Sequence, residues 1–518
     1  MVTSKRSDAY AIWYLPETTY GVDPGIVGFV NSESSIVNGT AETYLYVPTP
    51  AIAAYARITG KVDGLPRRAM VDADQVFPIT DAAPFRAKGT RGGGNVLSFE
   101  MLVHGGLTNT VGTDTDRPVP PPWLQLASSA SGRVIGHRAT DSGGGNGPTD
   151  YSTVAAALPA PAAHQFTIES GTTVGSLVPG HVFGVDHGTG STVDIELARP
   201  VRCEAAVTFG DITAGAVAEA TSGAWYNGTS VAFKQAPTAA DRVYFSAQAN
   251  FDRRYEDSGT LSDADSQLSY TFLILRPDAD ACQIVTGVRC SEWELTDNVN
   301  EIPKIKLSFH YKSFLTFGED GSAFGGTPAI ADEPAYYSNW PCPKVTTNSN
   351  VTYLKYFDAA EDGTLDTPAV VRDLPLTNFS VKWSAGFTVR HSNMAAEGVH
   401  DLRQTSRQEL EVKFTCLYND DWRDMLGLCS AVDTNGYNTF PFIYWTGEKR
   451  SQMWFVACPS LQLKDDPGPG DGDFEGNMSQ EVTFNMRPYR GDRTAAGTGE
   501  VAFATTTCAQ NKLAVGTL

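Results

Sequence analysis

Histidines and carboxylates are the first residues in this 518-residue chain that offer chemistry. His181 and His187 flank Asp186 in the run HVFGVDH, three groups able to ligate a transition metal. Their separation fits neither a helical pair nor a zinc finger, and the run reads as a strand ending in a turn. Residues 465–475 (DDPGPGDGDFE) and 358–366 (DAAEDGTLD) are rich in the carboxylates that calcium takes, yet neither keeps the ligand positions of an EF-hand loop. Glycine clusters at Gly92–Gly94 and Gly143–Gly145 lack the Lys-Ser/Thr that completes a phosphate-binding loop. Arg490-Gly491-Asp492 is an integrin-type tripeptide by chance. No nucleophile elbow or histidine-based triad signature is present, and a glycosidase pair among the 59 acidic residues is a spatial matter that spacing does not reveal. The expectation is a non-enzymatic chain with no catalytic residue, no metal ligand and no cofactor.

Composition points to sheets. Apolar residues make up 41% and charged residues 19%, and 49 Gly and 30 Pro punctuate short runs rich in Val, Thr, Phe, Tyr and Trp. A formal charge of −20 disfavours non-specific adhesion to nucleic acid or to an anionic membrane. No apolar run approaches the roughly 20 residues a bilayer requires, and Met1–Asp8 leads into no signal-type core, so the expectation is a cytosolic product with no membrane partner. The eight cysteines form no CxxC pair and read as buried thiols. Sequon matches at Asn38, Asn227, Asn350, Asn378 and Asn477 carry no weight without a secretory route.

The elements that organise the chain occur twice. Residues 282–311 and 450–486 share the plan of a strand entering a cysteine, Cys290 or Cys458, and continuing as Cys-x-x-apolar-x-Leu-x-Asp. Trp293, Leu295 and Asp297 answer Leu461, Leu463 and Asp465, and both stretches end on an alternating strand, through Leu307, Phe309 and Tyr311 or through Val482, Phe484 and Met486. Upstream, strands at 270–275 and 439–445 precede the cysteines, and extended runs at 96–103 and 410–417 precede those. Between them lie two amphipathic helices led by tryptophan, over 120–130 (Trp123, Leu126, Ala127, Ala130) and 419–429 (Trp422, Met425, Leu426, Cys429).

The two versions differ in loops. The first carries a long exposed loop over 104–119 and a large insertion after its helix. The insertion has linker-like ends at 142–150 and 155–163 and short β runs between 164 and 245. The resulting division is 1–132 for the first part of one domain, 133–250 for an inserted small β domain, and 251–330 for the rest of the first domain. A linker at 331–349 and a second domain with a C-terminal arm at 350–518 follow.

This order of strand, covering helix, strand pair and Cys-led hairpin, together with the Glu17–Gly21 run ETTYG, resembles the major tail tube proteins of long-tailed (siphovirus-type) bacteriophages. The resemblance spans about 400 residues outside the insertion. It implies a mainly β fold: two tandem tail-tube-like β-sandwich or half-barrel domains, each with one flanking helix. It further implies sheet edges that join between units into a continuous barrel. With two units per chain, the implied ring is a homotrimer with pseudo-sixfold symmetry, stacked helically into a tail tube in the virion after assembly in the host cytoplasm. The expected partners are sister chains, other tail proteins at the tube ends, and viral DNA passing through the lumen at ejection without specific binding, which an acidic wall favours. The long loop and terminal arms are the expected contacts between rings. Lys304, Lys306 and Lys312 run against that acidity, since they read as the polar face of one strand. A tail-tip or adhesin-like β protein that binds carbohydrate or a host receptor, and a β-sandwich glycosidase, are the competing readings.

Overall fold

The computed structural model describes residues 10–22, 28–30, 45–47, 54–56, 58–66, 68–72, 88–92, 96–108, 118–135, 151–153, 173–174, 182–187, 195–198, 212–213, 238, 241–251, 269–276, 281–317, 329–330, 352–356, 376–391, 399–404, 406, 408–430, 432–433, 436–437, 439–447, 452–465, 479–486 and 513–518. The fold is mainly β, with antiparallel sheets and two helices among these residues.

The principal elements begin with β1 (Ala11–Pro16), β2 (Ala54–Ala56), β3 (Ile58–Asp63), the hairpin β4 (Arg68–Asp72) and β5 (Lys88–Gly92), β6 (Val96–Leu102) and α1 (Pro122–Ser128). The insertion contributes β7 (Gly132–Ile135), β8 (Tyr151–Thr153), β9 (Phe183–Asp186), β10 (Ile195–Ala198), β11 (Arg242–Phe245) and β12 (Ala247–Phe251). Next come β13 (Tyr270–Arg276), β14 (Ala281–Asn298), β15 (Lys304–His310) and β16 (Ser313–Phe317). The later half consists of β17 (Thr352–Tyr356), β18 (Leu376–Ser384), the hairpin β19 (Phe387–His391) and β20 (Val399–Gln404), β21 (Glu409–Leu417), α2 (Asp420–Ser430), β22 (Thr439–Thr446), β23 (Trp454–Leu463), β24 (Ser479–Met486) and β25 (Leu513–Thr517).

The pairings repeat in order. In the first half β3 pairs β6, β6 pairs β15 and β15 pairs β14; in the second β18 pairs β21, β21 pairs β24 and β24 pairs β23. Behind these, β1–β13–β14–β16 is answered by β17–β22–β23–β25. The repeat thus extends beyond the stretches alike in sequence, to the hairpins β4–β5 and β19–β20 and to the first and last strands of each half. β14 and β23 each serve two sheets, and the transfer falls at the repeated cysteine. The β14–β15 register shifts between Cys290 and Glu292, and the β22–β23 register shifts opposite Cys458 and Leu461, where Pro459 removes a ladder donor.

Alternation decides which face is dry. Leu97, Phe99, Met101, Ile305, Leu307, Phe309, Trp293 and Leu295 are buried, as are Phe379, Val381, Trp383, Val412, Phe414, Val482, Phe484, Leu461 and Leu463. Each half builds a similar aromatic knot across its sheets: Phe99, Phe272 and Phe309 in one, Phe379, Phe414 and Phe442 in the other. Both expected helices form and present buried tryptophans. Trp123 Nε1 donates to the His104 carbonyl and Trp422 Nε1 to Gln480 Oε1, both at 3.0 Å. Pro122 opens α1, and the Asn419 side chain caps α2 by accepting from the Trp422 amide at 2.7 Å.

Several expectations are revised. The last strand of the repeated hairpin is offset: Leu307 lies opposite Trp293, whereas Met486, not Val482, lies opposite Leu461. At the C-terminal end, β25 sits between β23 and β12 with its residues buried, and residues 487–512 lie outside the described residues. The stems of the insertion, β7 and β12, pair with each other and extend that sheet through β25. The sheet β8–β11–β9–β10 of the insertion then packs Val182, Leu197 and Tyr244 onto Ile443, Trp445, Phe455 and Ala457 of the second half. Of the runs expected as strands there, 205–209 and 229–233 lie outside the described residues, as does the linker at 331–349.

The ETTYG run has a structural role. Glu17 accepts from the Gly21 amide at 2.7 Å, the Gly287 amide at 2.7 Å, Ser269 Oγ at 2.6 Å and Thr271 Oγ1 at 2.8 Å, tying the first turn to β13 and to the crossing point of β14. Gly21 has φ +71°, and a Cβ there would meet Lys312 Cδ at 2.2 Å, so the tight return suits glycine alone. Replacing Glu17 by Ala orphans two amides and two hydroxyls. The expected loss is roughly 2–4 kcal/mol, read as a lower urea midpoint at unchanged slope.

Candidate functional site: a charged face spanning both halves

The two four-strand sets are joined edge to edge. β14 of the first half pairs β18 of the second, with Trp293 opposite Trp383, Glu294 opposite Lys382 and Leu295 opposite Val381. Bonds from the Ala385 amide to the Ser291 carbonyl (2.8 Å) and from the Val299 amide to the Thr377 carbonyl (3.1 Å) extend the seam at both ends. Behind it, Phe251 packs on Trp293 and Trp383 with ring centroids 5.2 and 5.4 Å away, and Trp383 Nε1 donates to the Ala130 carbonyl at 2.8 Å. Tyr444 donates to the buried Asp297 carboxylate at 2.6 Å, and the guanidinium of buried Arg289 lies 4.7 Å from the Phe387 ring centre. The result is one sheet of eight strands, in the order β3, β6, β15, β14, β18, β21, β24, β23.

Its other face is polar and its charges are in register. One row crosses all the strands: Thr59, Glu100, Lys306, Glu294, Lys382, Glu411, Asn485, Gln462. Charge alternates along the middle of it, the arrangement that stabilises cross-strand neighbours. Ion pairs knit it to adjacent rows: Lys304 with Glu100 at 3.5 Å, Lys382 with Glu292 at 3.0 Å, and both Lys413 (3.2 Å) and Lys464 (3.1 Å) with Glu411. Burial works against the Glu411 charge, but hydrogen bonds from Lys464 and Lys413 outweigh it and hold the carboxyl below its ordinary value. The hydrogen bond to Glu292 raises Lys382, and the one to Glu411 raises Lys464.

Lys304 and Lys306 do lie on the polar face, each beside carboxylate. Lys312 does not: it follows the end of β15, donates from Nζ to the Tyr20 carbonyl at 3.3 Å and sits 5.2 Å from that ring's centre. Among the described residues of this face, Asp63, Glu100, Glu292, Glu294, Glu409, Glu411 and Glu481 meet Lys61, Lys304, Lys306, Lys382, Lys413 and Lys464, so the acidity of the chain is not concentrated here. The row was legible as strand alternation, whereas its partners come from strands far apart in sequence.

Asp186 closes β9, and His187 Nδ1 lies 3.5 Å from Asp241, whose carboxylate also caps Thr238 by accepting from its amide and hydroxyl at 2.7 Å. His181, 358–366, 466–475, Gly143–Gly145 and 490–492 lie outside the described residues. Among the described residues no group of three His, Cys, Asp or Glu side chains gathers as a metal site, and no helix is long and apolar enough to cross a membrane. Cys290, Cys416 and Cys458 are buried thiols outside any disulfide, and burial pushes the Cys290 thiol up, and Cys416 up to about 12. Of the long loop at 104–119, only its base is described, a short ladder of Leu107–Thr108 with Pro118–Val119. No protein-family model and no curated protein matches this sequence.

Because the folded Glu411 carboxyl is depressed, its contribution to stability is full above the ordinary value of 4.5 and is lost as pH falls through the folded value. Glu411→Gln is expected to flatten the acid limb of a stability-versus-pH curve while leaving its alkaline limb in place, measured by urea unfolding from pH 3 to 9. The exposed pairs limit the effect at neutral pH to about 1 kcal/mol or less.

Proposed function

We propose that this chain is a structural, non-enzymatic virion protein that assembles into the stacked rings of a bacteriophage tail tube, a conduit for DNA ejection. The observation that carries the reading is the β14–β18 joint. Within one chain, two versions of the same four-strand set already meet edge to edge, one face dry and the other charged. A joint of this kind is a rule for continuing: the same contact made between chains extends the sheet, and closure removes the exposed edges. Three chains supply six sets, a homotrimeric ring with pseudo-sixfold symmetry.

The charged face suits a passage for duplex DNA by a route other than simple repulsion. Lys304, Lys382, Lys413 and Lys464 of this face are each ion-paired with a carboxylate, so a passing phosphate must compete there with a partner already in place. Contacts that bind DNA gain from counterion release, and pre-paired lysines forfeit most of that gain. The insertion packs behind the second half, on the side away from the charged face, where it would decorate the outside of a tube.

Negative-stain electron microscopy of the purified full chain tests this. Rings or tubes with three chains per layer are expected. A persistent monomer that captures glycans on an array would instead favour the adhesin-like reading. Trp383→Ala, which empties the seam behind the joint, is expected to cost about 3–5 kcal/mol and to abolish regular assemblies.

A further inference from the structure

The internal joint acts as a template for the outer edges, and one of them is occupied in an unexpected way. At Trp293 and Glu294, β14 has β15 on one side and Trp383 and Lys382 of β18 on the other. The corresponding Leu461 and Gln462 of β23 have Met486 and Asn485 of β24 on one side. Their other side is taken by Phe440 and Thr439, the first two residues of β22, which reach it across a register shift between Phe440 and Phe442. β13, the counterpart of β22, makes no such extension, and its ladder with β14 ends at Tyr270 opposite Val288. At the far end of the sheet, β3 has one strand partner among the described residues, β6.

We propose that Leu461–Leu463 is the docking edge for β3 of a second copy of this chain, with Gln462 opposite Thr59, and that Thr439 and Phe440 are a removable cap on that edge. The inference rests on the assembly reading and goes beyond it by naming the register and the segment that must leave. The register follows from the row of the charged face. Lys382 lies opposite Glu411 and Glu294, and by the repeated ladders Thr59, opposite Glu100, holds the Lys382 position while Gln462 holds that of Glu294. The same alignment sets Leu463 against Ile58, as Leu295 is set against Val381 within the chain. Gln462 and Thr59 are neutral hydrogen-bonding groups, so the row closes between chains with no like charges opposed. The β3 bulge beyond Thr59 confines the match to these positions.

The cap has a physical rationale. An edge with unpaired amides and carbonyls invites uncontrolled association, and two residues of β22 supply the missing ladder bonds in the single chain. Exchange for β3 returns equivalent backbone bonds, so the net cost of uncapping is small. Assembly then proceeds by strand replacement rather than by collision of bare edges.

Two double-cysteine variants test this beside the wild type. Thr439→Cys with Gln462→Cys staples the cap, since residues directly opposed in an antiparallel ladder come within disulfide reach. The oxidised protein is expected to lose tubes and rings, and reductant is expected to restore them, which also shows that the variant folds. Thr59→Cys with Gln462→Cys is expected to assemble and, on oxidation, to give disulfide-linked chains up to the trimer on a non-reducing gel. Tubes formed by stapled protein whose disulfide is verified by mass, or wild-type-like tubes of the second variant that never cross-link, would overturn the inference and leave the assembly reading standing. Wild-type protein that forms neither ring nor tube would remove both.

Discussion

The seam between β14 and β18 is the contact on which the rest of the architecture depends. A four-strand sheet has two edges whose backbone groups need partners, and in this chain one edge of each half satisfies the other. Backbone pairing alone does not choose a partner. The choice comes from the two faces of the seam: Trp293, Trp383 and Phe251 fill the dry side, and Glu292, Glu294 and Lys382 align on the wet side. A slip of β18 by one residue against β14 would turn Trp383 to solvent and drive Lys382 into the core, so the register is strongly fixed.

The charge pattern follows from that register. A chain with a formal charge of −20 presents, on the face of its largest sheet, a lattice in which carboxylates and lysines nearly balance. The pairs are exposed and individually weak, and their value lies in specifying neighbours and in keeping lysines engaged. The net acidity therefore resides elsewhere on the chain.

Much of the fold was legible. The cysteine-led repeat, the two tryptophan-led helices and the alternating strands 304–310 and 409–417 announced themselves, because burial of one face imposes period two on a strand and a tryptophan-led stripe on a covering helix. The hairpins β4–β5 and β19–β20 and the return of residues 513–517 as a paired strand were not legible. Short strands whose partners lie far away carry little local pattern, and a buried run such as LAVGT has no alternation to read. The slip of Met486 into the place expected of Val482 arose because the intervening turns differ in length, and alternation is blind to a shift by an even number of residues.

By itself the sequence determined that this is a β protein with a repeated plan, and which side chains of each strand face the core, since those follow from residue order at short range. Only the tertiary structure decided that the two halves share one sheet, that Lys306 stands between Glu100 and Glu294 while Lys312 turns to Tyr20, and that β22 covers the last edge. The physical reason is that a strand carries its faces in its own sequence but receives its neighbours from elsewhere. Backbone hydrogen bonds are the same for every partner, so the selection is made by side chains that meet only after folding.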